Sequence, residues 1–410
     1  MASSTYHFGP FVLNVPERQL LRKSTVVPLR GKVFETLCVL VENAGRLVRK
    51  EELLEALWPD SIVEENNLTQ SISILRKALG ESYIETVPRI GYRFVAQLKE
   101  GEAETTTAAP AQAGTDAGPR RLRQEIRYCK AEDGVDIAYA TVGSGYPLVK
   151  AANWLNHLEY EWDSPLWKHW IEAMTRHHRV IRYDERGNGL SSWKVEDMSF
   201  PAWIRDLEAV IAAAAPERFA LLGISQGASV AIDYAVRHPE RVSHLILLGG
   251  YSQGWEHRNV PKLLQARRAL ETLVGMDWGK RNPAFQQMFT SAYIPENPTL
   301  EHQRWFNDLQ RISAPPENAE RIMRMCDGIN VRHLLPQVKV PTLVLHGDRD
   351  HAVPPEEGRI LATEIPNARF VPLDTGNHIL LADEPAWKVF LEEVGVFLGW
   401  EESQASARVS

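Results

Sequence analysis

Residues Arg218–Pro239 read RFALLGISQGASVAIDYAVRHP. A short apolar run, Phe219–Leu222, leads into the pentapeptide Gly223–Gly227, and an amphipathic segment follows. This order predicts a strand, a tight turn and a helix, with Ser225 at the apex of the turn. Glycines on both sides suit such a turn, because they let the strand and the helix pass close to the serine. The backbone amide of Gln226 would then begin a helix, where partial positive charge can stabilise an oxyanion.

The chain of 410 residues is longer than a typical single domain, so two or three domains are expected. No apolar run reaches the roughly 18 residues that span a bilayer, and the N-terminus shows no secretory signal. The three cysteines are too few and too scattered for a disulfide framework or a zinc site. We therefore expect a cytoplasmic protein with no membrane segment, no metal and no other cofactor.

The N-terminal hundred residues change from strand to helix periodicity near Gly31. Alternating apolar residues in Tyr6–Val15 and Gln19–Pro28 predict short antiparallel strands. Three helices follow, and the third has an apolar face, a polar face and an end at Gly80. Tyr83–Phe94 predicts two strands around a turn, and three helices with such a hairpin form the winged-helix layout. The apolar positions of the helices are Phe34, Leu37, Leu40 and Val41, then Leu53, Leu54, Leu57 and Trp58 before Pro59, then Leu68, Ile72, Leu75 and Leu79.

Over residues 5–96 the segment resembles the OmpR/PhoB-type DNA-binding domain, a winged helix-turn-helix of the α+β class. The resembling residues are Leu29-Arg30, Phe34-Glu35, Leu53-Leu54 through Trp58, Ile74–Leu79 and Val87–Phe94. The resemblance implies double-stranded DNA as a partner, with the third helix in the major groove. The residues that it implies at base edges are Asn66, Thr69, Gln70 and Ser73. Those that it implies near phosphates or the minor groove are Arg76 or Lys77 together with Thr86, Arg89, Tyr92 and Arg93. The alternative interpretation of each residue is a solvated helix face.

The segment that would bind DNA is nearly neutral. Residues 1–98 hold 12 lysines and arginines against 11 aspartates and glutamates, whereas the rest of the chain holds 34 against 42. Attraction to phosphate should therefore be modest, and one copy should bind weakly. We expect a homodimer or tandem sites to supply the missing affinity.

Residues 99–121 are predicted to be a flexible linker. Within them, Gly101–Pro119 reads GEAETTTAAPAQAGTDAGP, a run of small, polar or helix-breaking residues without apolar periodicity. The predicted organisation is a DNA-binding domain at 1–98, a second domain at 122–400 and a loose polar tail at 401–410.

The second domain alternates apolar strands with helices such as Pro201–Ala214, an order typical of a mostly parallel sheet that is wrapped by helices. The predicted strands are Gln124–Lys130, Asp136–Thr141, Pro147–Ala152, Val180–Tyr183, Phe219–Leu222, Val242–Leu248, Thr342–His346 and Ala368–Pro372.

Four stretches of this domain resemble an α/β-hydrolase fold, over about residues 122–400. They are Asp184–Ser191, Gly223–Gly227, Leu345–Asp350 with Val353-Pro354, and Gly376–His378. The predicted fold class is thus a winged helix-turn-helix domain followed by an α/β hydrolase with a mostly parallel sheet and a helical lid.

A serine needs a base within hydrogen-bond reach to act as a nucleophile. His378, in a loop after the last strand, is the candidate base for Ser225, and Asp350 would orient its imidazole. The chain order of serine, aspartate and histidine is the one that this fold uses. Asp348 is a rival acid two residues away, and we prefer Asp350 because the family places its acid at the later position.

The predicted oxyanion hole departs from the family pattern. Many hydrolases have His-Gly after the third strand, whereas this chain has Ala152-Asn153 followed by Trp154. The amide of Trp154 is the candidate second donor beside that of Gln226. Without glycine, Asn153 would have to make the turn, since asparagine tolerates a left-handed conformation better than most residues.

A segment at about 252–337 lies where this fold carries a lid over the active site. Its predicted helices include Leu263–Val274, Pro283–Thr290 and Glu301–Ile312. An apolar lid implies a small apolar ligand or substrate, and the alternative is that its large apolar groups only pack the lid onto the sheet. These groups are Trp255, Trp278, Phe285, Met288, Phe289 and Trp305.

Three functions agree with these features. The first is a transcription regulator whose serine-hydrolase-like domain binds and hydrolyses a small apolar ester, lactone or similar signal. The second is an esterase or lactonase with an accessory DNA-binding domain. The third is a catalytically silent domain that dimerises the winged helix. A complete triad disfavours the third function, because a scaffold does not need one.

Overall fold

The computed structural model describes the two predicted domains as separate units, one within residues 1–116 and the other within 117–410. The predicted linker beyond Glu100 and the predicted tail at 401–410 lie outside the described residues. The described residues are 5–15, 19–22, 25–27, 29, 31–57, 65–80, 83–87, 90–96, 98–100, 122, 124–214, 217–258, 260–280 and 282–400.

The first unit contains three helices and two small antiparallel sheets. Its five-stranded sheet has the order β4-β3-β2-β1-β8, and its three-stranded sheet has the order β5-β7-β6. Lys99 and Glu100, which the sequence analysis assigned to the linker, pair with β1. The elements are β1 Thr5–Phe8, β2 Phe11–Asn14, β3 Gln19–Arg22, β4 Thr25–Val27, α1 Gly31–Glu42, β5 Leu47–Arg49, α2 Lys50–Leu57, α3 Glu65–Leu79, β6 Ile84–Val87, β7 Gly91–Phe94 and β8 Lys99–Glu100.

The apolar stripes predicted for the three helices meet in the core of this unit. Leu37, Leu53 and Leu75, one from each helix, are fully buried and belong to a single cluster. Helix α3 has the predicted apolar face, with Leu68, Ile72, Leu75 and Leu79 all buried. Burial of one face leaves the opposite face of α3 as the surface on which Thr69, Ser73 and Lys77 are exposed.

The second unit is built on an eight-stranded sheet with the order β9-β10-β12-β11-β13-β14-β15-β16. Strand β10 runs antiparallel to both of its neighbours, β9 and β12, and the other neighbouring strands of this sheet pair in parallel. The central strands β13 and β15 are buried along their whole length, as expected for parallel strands covered on both faces. The strands are β9 Glu125–Lys130, β10 Asp136–Val142, β11 Tyr146–Lys150, β12 His178–Tyr183, β13 Phe219–Ile224, β14 Val242–Leu248, β15 Thr342–Gly347 and β16 Arg369–Leu373.

Helices cover both faces of this sheet. A further group of helices forms the segment predicted as a lid. Within its described residues the predicted lid contains the helices α8 Pro261–Asp277, α9 Pro283–Tyr293, α10 Leu300–Ser313 and α11 Pro316–Asp327, one more than the sequence analysis named. The unit's helices are α4 Leu158–Trp162, α5 Lys168–Thr175, α6 Phe200–Ala214, α7 Gln226–Arg237, α8 Pro261–Asp277, α9 Pro283–Tyr293, α10 Leu300–Ser313, α11 Pro316–Asp327, α12 Pro355–Glu364 and α13 Pro385–Leu398. Among the described residues, no helix combines the length and the apolar character that crossing a membrane requires.

Candidate active site and nucleic-acid interface

Ser225 lies between the end of β13 and the start of α7, as the opening stretch of sequence predicts. Its backbone has φ 54° and ψ −128°, which is unusual for a residue with a side chain. Its N–H donates to the carbonyl oxygen of Leu248 at 3.0 Å, so the turn is tied to the neighbouring strand β14. Ser225 is partly exposed, whereas the rest of β13 and the first turns of α7 are buried.

The two glycines that flank this turn have no room for side chains. A Cβ on Gly223 would lie 2.5 Å from the Cα of Ala228, which belongs to α7. A Cβ on Gly227 would lie 2.6 Å from the carbonyl oxygen of Ala152, after β11. Both clashes involve backbone atoms, so any larger residue at either position would displace the helix or the strand.

His378 and Asp350 form a close hydrogen-bonded pair. The Nδ1 atom of His378 lies 2.6 Å from Oδ2 of Asp350. The other carboxylate oxygen accepts hydrogen bonds from the N–H groups of Ala352 at 2.8 Å and Val353 at 3.0 Å. Burial opposes the charged form of Asp350, but the nearby His378 and these bonds outweigh it and lower the pKa of the carboxyl. Asp350 is therefore held as a carboxylate against the imidazole.

The structure joins His378 to Asp350 and not to the rival Asp348. Asp348 instead pairs with Arg349 at 2.9 Å and accepts from the N–H of Thr375 at 3.2 Å. A second histidine, His346, lies under the pair, with its Nε2 atom 2.9 Å from the carbonyl oxygen of Val353. Sequence reasoning quoted the Leu345–Asp350 stretch as a family motif but gave no role to His346, a buried residue of β15.

The lid holds the loop that carries His378. The carbonyl oxygen of Tyr293, at the end of α9, accepts the N–H of His378 at 2.9 Å. Glu296 binds Asn377 through two backbone contacts, from its N–H at 2.9 Å and to its carbonyl oxygen at 3.1 Å. The position of the imidazole thus depends on the lid as well as on Asp350.

The far side of the imidazole opens into a pocket that it shares with Ser225. The Nε2 atom of His378 is buried and has no hydrogen-bond partner among the described residues. The pocket is narrow and partly open to solvent, and Trp154, Leu155, Tyr293 and Phe306 form much of its apolar wall. Tyr293 and Phe306 belong to the lid, and the sequence analysis did not name them. The sequence already shows that Tyr293 follows Phe289 by one helical turn in α9, whereas Phe306 is brought to the pocket only by the packing of α10 against α9.

The lid aromatics that the sequence analysis named mostly pack inside the domain. Trp278 stacks on Trp154 with ring centroids 5.1 Å apart, and Phe289 meets Trp154 edge-on at 6.1 Å. Phe285 and Trp305 are also buried. Two do not follow this pattern: Met288 is 42% exposed, and Trp255 lies beneath the guanidinium of Arg258 at 4.3 Å. Most of these apolar side chains therefore pack the lid onto the rest of the domain, and Trp154 belongs to the same aromatic cluster.

The N–H of Trp154, the candidate oxyanion donor, already has a partner. It donates to Oε1 of the Gln226 side chain at 3.0 Å. The backbone amide of Gln226 begins α7, as predicted. Asn153 does not have the left-handed backbone that we expected, and the peptide bond from Trp154 to Leu155 is cis. Asn153 is instead held by its side chain, which accepts a hydrogen bond from the ammonium of Lys150.

A buried carboxyl group supports the other end of the Gln226 side chain. The Nε2 atom of Gln226 donates to Oε2 of Glu185 at 3.1 Å. Burial is the main cause that raises the pKa of Glu185 to about 8 and that of the adjacent Asp184 to about 7. Sequence reasoning used Asp184–Ser191 only as a family motif and missed this role of Glu185.

The described part of the predicted DNA-binding face is only partly exposed. Thr69, Ser73 and Lys77 are exposed on α3. The side chains of Asn66, Gln70 and Arg89 lie outside the described residues. Arg93 lies 3.1 Å from Glu85 across the hairpin, in an exposed ion pair.

Three residues predicted near the DNA backbone have internal roles. Tyr92 is 5% exposed and packs in the core of the first unit, because β7 turns this side chain inward; its prediction as a surface contact is corrected. Arg76 donates to the carbonyl oxygen of Ile84 at 2.8 Å and to the hydroxyl of Thr86 at 2.5 Å. Arg76 and Thr86 therefore tie α3 to the hairpin, whereas Lys77 is exposed on α3.

The described residues contain no group of three or more histidine, cysteine or acidic side chains placed to hold a metal ion. What the second unit brings together is a hydroxyl, an imidazole and a carboxylate at the carboxyl ends of β13, β15 and β16. This is the set of groups that nucleophilic acyl transfer requires.

Two family models match the chain. The model described as alpha/beta hydrolase fold matches residues 155–385, which is more than half of the chain. The model described as "Transcriptional regulatory protein, C terminal" matches residues 24–94.

Curated relatives divide in the same way. The AB hydrolase superfamily protein YisY of Bacillus subtilis is 28% identical over 263 residues, which cover 61% of this chain and 91% of that protein. The transcriptional regulator HilA of Salmonella typhimurium is 38% identical over 98 residues, which cover 23% of this chain and 18% of that protein. Among solved structures, an esterase from Exiguobacterium antarcticum aligns with a TM-score of 0.56 and 23% identity, over 66% of this chain and 98% of the esterase.

Proposed function

Since the chain belongs to the alpha/beta hydrolase fold family and carries an OmpR/PhoB-type DNA-binding domain ahead of the hydrolase domain, we propose that it is a transcription regulator that hydrolyses its own signal. The signal is a small apolar ester or lactone. The observation that carries the proposal is the hydrogen bond between His378 and Asp350, with the free Nε2 atom in the pocket of Ser225.

The proposed reaction has two acyl-transfer steps. The hydroxyl oxygen of Ser225 attacks the ester carbonyl carbon, and its proton passes to Nε2 of His378. The carboxylate of Asp350 stabilises the imidazolium, while the backbone amide of Gln226 stabilises the oxyanion. The imidazolium then protonates the leaving alcohol, and a water molecule activated by the same imidazole releases the acid from Ser225.

The proposed substrate class follows from the pocket wall. Trp154, Leu155 and Phe306 are apolar, and no charged side chain lines the pocket among the described residues. Such a wall favours a short acyl chain or a ring over a charged group, because a buried charge without a partner is costly. The relative named as an esterase shares only the fold at its level of identity, so the substrate class rests on the pocket.

The first experiment measures hydrolysis of p-nitrophenyl acetate, butyrate and octanoate by the full chain. We expect Ser225→Ala to lower kcat by about 10⁴-fold or more, since the nucleophile is lost. Ser144→Ala, an exposed serine in a loop, is the matched control and should leave kcat unchanged. Equal activity of the wild type and Ser225→Ala, across esters and lactones, would contradict the proposed enzyme.

The second experiment tests the DNA-binding half. We expect the full chain to enrich a defined sequence from a random double-stranded DNA library, and the affinity to change when Ser225→Ala protein is saturated with a slowly hydrolysed ester. Selection of a sequence without any response to ester would instead support the second function, a hydrolase with an accessory DNA-binding domain. Failure to select any sequence would contradict the regulator.

A further inference from the structure

A second cavity lies next to the turn that carries the predicted oxyanion donor. It is small and partly open to solvent, and Trp167 lines both this cavity and the pocket of Ser225. Most of its wall is apolar, with Trp170, Ile171 and Met174 on α5 facing the strands of the sheet. Two cationic side chains, Lys150 and Arg182, and one anionic side chain, Glu161, complete the wall.

The ammonium group of Lys150 is only partly satisfied. Its hydrogen-bond partner is Oδ1 of Asn153, and it lies 5.4 Å from the centre of the Trp167 ring. Among the described residues, no carboxylate lies within ion-pairing distance of its Nζ atom. Burial is the main cause that lowers the pKa of Lys150 to about 8. The charge of Glu161 opposes this shift, and the charge of Arg182 adds to it. An ammonium has three donors, so two remain for another acceptor.

Arg182 contributes a second unused donor to the same wall. One end of its guanidinium lies 2.6 Å from Glu161, and the other end donates to Gln124 at 2.8 Å and to the carbonyl oxygen of Leu158 at 3.0 Å. Its Nε atom is buried and has no hydrogen-bond partner in the described part of the chain. Because Glu161 pairs directly with Arg182, Lys150 has no directly paired carboxylate among the described residues, and the charge of Glu161 offsets that of the ammonium only in part.

We propose that this cavity binds a small monocarboxylate, whose oxygens accept hydrogen bonds from Lys150 Nζ and Arg182 Nε and whose apolar tail lies against Trp170 and Met174. One negative charge balances the ammonium, and an alkyl tail suits the apolar remainder of the wall. A second negative charge on the ligand would have no cation to meet, because Glu161 holds Arg182. A neutral alcohol of the same length would leave the ammonium without a counterion.

The site is separate from the serine chemistry but not independent of it. Lys150 positions Asn153, and Asn153 immediately precedes Trp154. A carboxylate bound to the two remaining donors of Lys150 shares this ammonium with Asn153, so the site adjoins the turn that carries the Trp154 amide. The binding itself does not rest on the proposed hydrolysis, and its test does not need turnover.

Calorimetric titration of butyrate into the full-length protein tests the site. We expect Lys150→Met to weaken binding by about tenfold or more, which corresponds to the loss of one charge-assisted hydrogen bond. Lys388→Met removes an equally long but exposed cation and should leave the affinity unchanged. n-Butanol should not bind. Loss of the buried, unpaired ammonium should not lower the melting temperature, because an uncompensated buried charge is itself costly.

Two results would overturn the proposal: no binding of butyrate to the wild type, or the same affinity in Lys150→Met and the wild type. If Lys150→Met does not fold, Lys150→Gln replaces it, since its amide can still donate to Asn153 without carrying a charge. Hydrolysis of p-nitrophenyl butyrate by each folded variant is measured separately. Binding of butyrate through Lys150 without hydrolysis of any ester would support this site and contradict only the proposed hydrolase activity.

Discussion

The two sides of Ser225 are held in different ways. On the histidine side, Asp350 is bonded to His378 and to two backbone amides, and the free Nε2 atom faces the pocket. On the oxyanion side, the Trp154 amide is bonded to the Gln226 side chain, whose other end is bonded to Glu185. His378 can therefore accept a proton without rearrangement, whereas the Trp154 N–H must first break its hydrogen bond to Gln226. In the proposed reaction the histidine side is preorganised and the oxyanion side carries a cost.

The largest effect should come from the histidine side. Asp350→Asn would favour the wrong tautomer of His378, and we expect kcat for ester hydrolysis to fall by about 10³- to 10⁴-fold. Asp348→Asn is the matched control, because Asp348 contacts Arg349 and Thr375 instead of the imidazole. We expect it to change kcat by less than about threefold, as for a surface ion pair. Similar losses in both variants would mean that the carboxylates share the role.

The oxyanion side should respond in the opposite direction. Gln226→Met keeps the volume of the side chain but removes the acceptor of the Trp154 N–H. Breaking one internal hydrogen bond costs about 1 kcal/mol, so we expect kcat/KM to rise by about fivefold when this cost is removed. The free enzyme should also become less stable, because a buried N–H is left without a partner until substrate binds. Steady-state kinetics and thermal unfolding measure the two effects.

A fall in kcat/KM for Gln226→Met would contradict this account of the oxyanion side. It would mean that the Gln226 side chain, and not the Trp154 amide, serves the reaction. An unchanged kcat/KM with lower stability would mean that the Trp154 amide does not take part.

The smallest expected effect is that of Glu185, on the oxyanion side, on the free energy of unfolding of the protein. Burial raises the pKa of Glu185 from an ordinary value near 4.5 to about 8. Between these values the folded protein keeps a proton that the unfolded chain releases, so this group lowers the free energy of unfolding as the pH rises from about 4.5 to about 8. Glu185→Gln removes that dependence while retaining an acceptor for Gln226.

Thermal unfolding at several pH values between about 5 and 8 measures this effect. We expect Glu185→Gln to melt several degrees higher than the wild type near pH 8 and at a similar temperature near pH 5. The pKa of Asp184 is also raised, so the free energy of unfolding of the variant should still depend on pH in part. Parallel curves for the two proteins would mean that Glu185 is ionised in the folded state at neutral pH.

Local sequence patterns predicted most elements of the fold. A helix buries one apolar face, and a central strand buries a continuous run of apolar residues, so both leave a pattern in the sequence. Helix α11 was missed although Ala319, Ile322, Met323 and Cys326 have helical spacing, since charged residues separate them. Strand alternation alone did not reveal that Tyr92 faces the core. Arg76 was predicted to bind phosphate because the sequence does not show that its acceptors, Ile84 and Thr86, lie beside it on β6.

The sequence by itself determined the two-part architecture, the strand-turn-helix around Ser225 and the order of serine, aspartate and histidine. These features depend on neighbours within a few residues, where glycine, apolar spacing and strand ends have direct conformational consequences. Only the tertiary structure decided which carboxylate meets His378, what occupies the Trp154 amide and where Lys150 lies. Each of these depends on a contact between residues far apart in the chain, such as the 72 positions between Trp154 and Gln226. Packing of the sheet brings these residues together, and no local pattern encodes the pairing.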